Sequence, residues 1–178
     1  MKDQQARWPF ETQRHLPLGP ENVLKAIDDF AWHEQWMMPL GPGAESMSVT
    51  AVRNVGDVKG EILDSALQEA MRMKPEGDFR ALELGGYLGY SAVRLARRLR
   101  GELYSVEKEE ANVSVAVDVL KAAGLGNVTL LLATAAEETR RLKERRLQLD
   151  FVFIDHEKQD THGYNLWYNL WYTLWYTV

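Results

Sequence analysis

No cysteine occurs among the 178 residues. That absence excludes a disulfide framework, a zinc–thiolate centre and a thiol nucleophile. Long apolar runs are missing too: nothing in the chain approaches the roughly 18 apolar residues of a membrane span. The opening MKDQQARWPFETQRHLPLGP also lacks the apolar centre of a signal peptide. There is no basic excess either, because 21 Lys and Arg stand against 26 Asp and Glu, for a net charge of −5. Such a balance argues against nucleic acid or an anionic membrane surface as a partner. The expectation from these absences is a cytoplasmic protein without a membrane span.

What is present is a composition of 46% hydrophobic and 26% charged residues, that of a globular chain. Its length suits a single domain. Val23, Leu24, Ile27, Phe30 and Ala31 recur at helical spacing after Pro20, with Asn22 as the expected cap and an end near Trp36. MPLGPGAESMSVTAVR, rich in Pro, Gly and Ser, predicts a loop. Val58, Ile62, Leu63, Ala66, Leu67 and Ala70 predict a second helix capped by Asp57. From Arg80 onward short apolar runs alternate with helical patterns. RALEL, ELYSVE, NVTLLLA and LDFVFID predict strands. SAVRLARRLR, ANVSVAVDVLKAAG closed by Gly124, and Ala135 to Leu147 predict helices. The almost continuous apolar run of the fourth strand suits burial on both faces of a parallel sheet. Strand–helix alternation of this kind implies a doubly wound α/β fold, mostly parallel, with helices on both faces.

The tail departs from this rhythm. Tyr164 to Val178 repeats Tyr-Asn/Thr-Leu-Trp every four residues, which overshoots a helical turn by about 40° and winds the Trp stripe around the axis. Residues 1–158 are therefore expected to form the domain and residues 159–178 a low-complexity tail.

The stretch LELGGYLGYS, Leu82 to Ser91, joins a predicted strand to a predicted helix. A dinucleotide turn needs Gly-x-Gly-x-x-Gly, with the middle glycine giving the pyrophosphate access to backbone. Counted from Gly85, that middle position is Tyr87, which argues against a nicotinamide dinucleotide. What remains is an acidic residue at the strand end, Glu83, followed by a glycine turn. Such a site fits a cofactor with an ammonium group for Glu83 and an uncharged sugar-thioether against the backbone of Gly85 and Tyr87. Glu107, 22 residues after Gly85 at the end of the next strand, suits the two hydroxyls of a ribose. Either signal alone is also what a tight turn or a solvated carboxylate would give. Together they point to S-adenosylmethionine (SAM).

NVGDVKGEILD (Asn54 to Asp64), LELGGYLGYSAVRLARRL (Leu82 to Leu99) and DFVFIDHEK (Asp150 to Lys158) resemble catechol O-methyltransferase and its bacterial and fungal relatives, in the family's order. The resemblance implies a Rossmann-like methyltransferase fold and transfer of a methyl group from SAM to one hydroxyl of a catechol. It further implies that Val55, Glu83, Gly85, Tyr87 and Ser91 surround the methionine end of SAM, that Glu107 holds the ribose, and that Lys108 lies on the adenine side. By the same resemblance Asp155 is an Mg²⁺ ligand close to SAM, His156 a cofactor-side histidine, and Lys158 the base that takes the catechol proton. A cation beside an amine lowers its pKa, which suits Lys158 to that role. His15, His33, His162 and the Arg145–Arg146 pair have no such context and are expected at the surface.

Three departures from the family pattern stand out. Fifteen residues, Pro39 to Arg53, separate Met38 from Asn54 where relatives run on directly, which bears on substrate choice. LLATAAEE places alanines in the adenine turn, so that Thr134 and the backbone of Ala135 are the expected substitutes. The sheet is expected to lack its last strands, and with them further Mg²⁺ and catechol ligands, so impaired activity is expected. The uncovered apolar edge of the fourth strand would then offer a surface for self-association. The alternative expectation is a SAM-binding remnant without catalysis that serves as a partner or regulatory module.

Overall fold

The computed structural model describes residues 17–33, 37–38, 47–48 and 55–156. Lys158, the remainder of the Pro39–Arg53 segment and the repetitive tail lie outside the described residues.

Helix α1 (Pro20–His33) opens on proline, whose missing N–H costs nothing in the first turn, with Glu21 beside the helix dipole. Asn22, expected as the cap, instead sits inside the helix and donates from Nδ2 to the Leu18 carbonyl at 2.8 Å. A two-residue antiparallel pair, β1 (Met37–Met38) and β2 (Met47–Ser48), starts one residue before the segment expected to be a loop and ends inside it. Helix α2 (Gly56–Met73) has Val55 in the cap position and no side-chain cap. Asp57 is therefore not the cap but a first-turn acid, where its charge still opposes the dipole.

β3 (Phe79–Leu84), α3 (Tyr90–Ala96), β4 (Gly101–Glu107), α4 (Glu110–Ala123), β5 (Val128–Leu132), α5 (Ala135–Glu144) and β6 (Phe151–Ile154) follow as expected, with shorter helices than the periodicity implied. Gly124 closes α4 in the left-handed conformation at φ 70°, as the sequence predicts. The strands form one parallel sheet in the order β5-β4-β3-β6. The chain therefore runs outward from β3 through β4 to β5 and then returns to β3's other side. That reversal makes a topological switch point between the carboxyl ends of β3 and β6, the place where open α/β sheets bind ligands.

Side chains alternate across the strands. Phe79, Ala81 and Leu103 face a core shared with α1, α2, α3 and α4, where Val23, Ile27, Leu67 and Val93 are almost fully buried. Leu82, Leu84 and Val106 face the opposite core, closed by Leu142 of α5. Each fully buried aliphatic side chain contributes about 1.5–3 kcal/mol. β6 divides in the same way, with Phe151 and Phe153 to one side and Val152 and Ile154 to the other. It is not buried on both faces as its apolar run implied: all four residues are half-buried, because β6 ends the sheet and has β3 as its single strand neighbour among the described residues. At the amino ends of the strands, Lys74 Nζ pairs with Asp150 at 2.9 Å, and Asp150 Oδ2 also accepts from the Arg80 N–H at 2.8 Å.

Candidate functional site

Glu83, Ser105 and Glu107 occupy alternate positions on β3 and β4, on the face toward the four-helix core. The register sets Glu83 beside Ser105, and the Ser105 hydroxyl donates to Glu83 Oε2 at 2.5 Å. Glu83 is fully buried, and its other oxygen, Oε1, has no partner among the described residues. Burial pushes its carboxyl up to about 7, against the pull of the Ser105 and Ser91 hydroxyls, and the negative fields of Asp155 and Glu107 push the same way. The three acids thus act on one locality, at the ends of β3, β4 and β6. A buried acceptor without a donor is costly unless something supplies one; an ammonium group would.

The glycine turn is built for the protein's own backbone. Gly85 has φ 98°, and a Cβ there would stand 2.8 Å from the Asp155 carbonyl and the His156 nitrogen. Its N–H and that of Gly86 donate to the Val106 carbonyl at 2.9 and 3.0 Å, while the Asp155 N–H donates to the Leu84 carbonyl at 2.9 Å. Gly89, at φ 89°, begins α3 where a Cβ would crowd Ala116 of α4 at 3.2 Å. Between them Tyr87 takes φ 45°, uncommon for a residue with a side chain. That conformation aims its N–H at Glu107 Oε2, 2.8 Å away.

Glu107 is nearly buried, and its Oε1 accepts from the Glu109 N–H at 2.9 Å and the Asn112 side-chain amide at 3.4 Å. An ionised carboxylate offers about four lone pairs, so the bond from Tyr87 leaves Oε2 with capacity for one more donor, such as a ribose hydroxyl. Lys108 follows it, exposed, and Ser91 is buried at the start of α3. Val55 is half-buried ahead of α2. Ala135 is half-buried behind Thr134, whose side chain forms a capping box with Glu137.

Asp155 remains partly exposed just past β6, and partial burial raises its carboxyl pKa while Lys59 and His156 lower it. Lys59, on the first turn of α2, is a neighbour that sequence reasoning missed, as was Ser105; neither has a local motif. Among the described residues no group of three or more Asp, Glu or His is arranged to hold a metal ion. Asp155 alone falls short of the octahedral oxygen shell that Mg²⁺ demands. A groove of about 460 Å³ lies elsewhere, at the amino ends of β3 and β4, lined by Gln68, Met71, Arg72, Pro75 and Arg100. Arg100 there caps the last carbonyls of α2, so the groove is a seam of packing remote from the acidic strand ends.

The family model described as O-methyltransferase matches residues 55–174. Catechol O-methyltransferase B of Danio rerio is 37% identical over 152 residues, which cover 82% of this chain and 50% of that protein. Catechol O-methyltransferase of Mus musculus is 34% identical over 152 residues, covering 82% of this chain and 49% of its own. The chain spans about half the length of these curated relatives. Among solved structures, the O-methyltransferase of tomaymycin synthesis from Streptomyces achromogenes, crystallised with SAM, superposes with a TM-score of 0.57. It is 25% identical and aligns with 82% of this chain and 58% of its own.

Proposed function

Because this chain belongs to the O-methyltransferase family, we propose that it binds SAM across the carboxyl ends of β3 and β4 and transfers the methyl group to one hydroxyl of a catechol. The observation that carries the reading is the fully buried Glu83 carboxylate, one oxygen held by Ser105 of the adjoining strand and the other without a partner among the described residues.

Glu83 Oε1 accepts the ammonium of the cofactor's amino-acid end, with Ser91 and the backbone of Val55, Gly85 and Tyr87 around it. Glu107 Oε2 accepts from the ribose, and Lys108 and Ala135 border the adenine. When bound, SAM supplies a methyl group made electrophilic by its positive sulfur. The surrounding acids Glu83, Glu107 and Asp155 favour a cation in that position. Asp155 closes the side nearest the substrate, His156 lies on the cofactor side, and Lys158 takes the hydroxyl proton as the oxygen–carbon bond forms and the carbon–sulfur bond breaks. Holding the two reactants in line supplies most of the acceleration. The Mg²⁺ implied by the resemblance lacks a sufficient donor set among the described residues.

Calorimetric titration with SAM tests the reading. Micromolar binding that Glu83→Gln weakens at least tenfold, with transfer of labelled methyl to a catechol, is expected. Absence of SAM binding would overturn it. Binding without transfer would identify a SAM-binding module instead.

A further inference from the structure

Arg94 lies on α3 one turn beyond Ser91, and its guanidinium is buried against α2. One nitrogen, Nη1, donates to the Gly56 carbonyl at 3.4 Å, and Nη2 pairs with Asp64 Oδ2 at 3.1 Å. Between these contacts the guanidinium covers Gly60, where a Cβ would overlap it. Gly56, Gly60 and Asp64 are each four residues apart, so the three form one stripe on successive turns of α2. Glycine at the middle of the stripe is what admits the guanidinium.

Neutralising Asp64 does not account for this arrangement. Arg97 reaches the same oxygen at 2.8 Å and Arg98 at 3.5 Å, so Asp64 keeps cationic partners without Arg94. Arg94 Nε is buried with no acceptor among the described residues, a cost that a residue serving charge alone would not need to bear. Arg94 also acts on Tyr90 and its partner Asp28, but neither of those contacts reaches α2; the hold on the Gly56 carbonyl does. The amino end of α2 has no side-chain cap of its own, and Val55 immediately precedes it.

We propose that Arg94 is the positioning residue for the methionine end of the cofactor. It ties the Val55–Gly56 backbone to the helix that carries Ser91, so that two walls of that end move as one unit. The inference rests on the SAM reading above and adds to it the residue that fixes its geometry. It also gives Gly60 a role, as the space in which the guanidinium lies.

The test compares two ligands by calorimetry: SAM, and 5′-methylthioadenosine, which keeps the adenosine and thioether but lacks the amino-acid end. Arg94→Met removes the fork. Gly60→Ala displaces it while keeping every charge and placing a better helix former in α2, so it stays informative if Arg94→Met fails to fold. Both variants are expected to weaken SAM at least tenfold and to leave 5′-methylthioadenosine within twofold. Equal losses for the two ligands, or no loss for either, would overturn the inference while leaving SAM binding in place. If the unaltered chain binds no SAM, the proposed function falls, and this inference with it.

Discussion

The Ser105 hydroxyl lies 2.5 Å from Glu83 Oε2, across a register pair of two parallel strands. That hydrogen bond occupies Oε2 of a buried carboxylate, while Oε1 has no partner among the described residues.

The raised pKa of Glu83 makes stability depend on pH in a defined direction. With a folded-state value of about 7 against an ordinary 4.5, the folded chain holds a proton that the unfolded chain releases throughout that interval. Stability should therefore fall as pH rises from about 4.5 to about 7, by on the order of 3 kcal/mol, and level off above. Urea unfolding across pH measures this, and Glu83→Gln should flatten the profile. A profile unchanged by that substitution would count against the burial argument.

The charge state of Glu83 also bears on the cofactor. An ammonium group binds the ionised form, so SAM affinity should increase as pH rises through about 7. Ser105→Ala removes a donor that favours ionisation and should move that midpoint upward. A titration insensitive to Ser105 would separate the hydroxyl from the site.

Gly85→Ala should destabilise the chain by about 2 kcal/mol or more, combining the cost of a left-handed backbone with a clash against the Asp155 carbonyl. Gly126, where an added Cβ meets nothing within 4 Å, serves as the control: its alanine variant should be close to neutral. Chemical denaturation of both variants gives the comparison.

Asp150→Ala should cost about 1–3 kcal/mol, since it leaves the half-buried Arg80 N–H without its acceptor and removes the partner of Lys74. The loss should appear first at β6, as faster amide exchange of its residues. Uniform exchange rates across the sheet would contradict that local effect.

Thr134→Ala should cost about 1 kcal/mol by opening the capping box with Glu137. Circular dichroism during urea unfolding is the measure, and an unchanged midpoint would show that the capping box does not hold α5.

The sheet was legible in the sequence because each strand is a short apolar run closed by a turn residue, and Gly124 marked the end of α4 by the conformation it alone adopts cheaply. The positions of Glu83, Glu107 and Asp155 at strand ends followed from the same runs. Helix starts were less legible. Asp57 looks like a cap, yet Val55 holds that place, because tertiary contacts with α3 rather than a local side chain decide where α2 begins. Ser105 and Arg94 carried no local signal. The partner of Ser105 is fixed by the offset between two strands, and that of Arg94 by a glycine on another helix. The glycine turn posed the reverse problem: its residues invite a ligand, whereas Gly85 and Gly89 answer to Asp155 and Ala116.

The hydrogen bond from Arg80 to Asp150 joins residues 70 positions apart. During synthesis β3 and β4 are made before β6, so Glu83 and Glu107 precede Asp155. Bringing β3 and β6 together means closing the stretch of chain between them, whose entropic cost rises with its length, and only then does the charge of Asp155 act on Glu83.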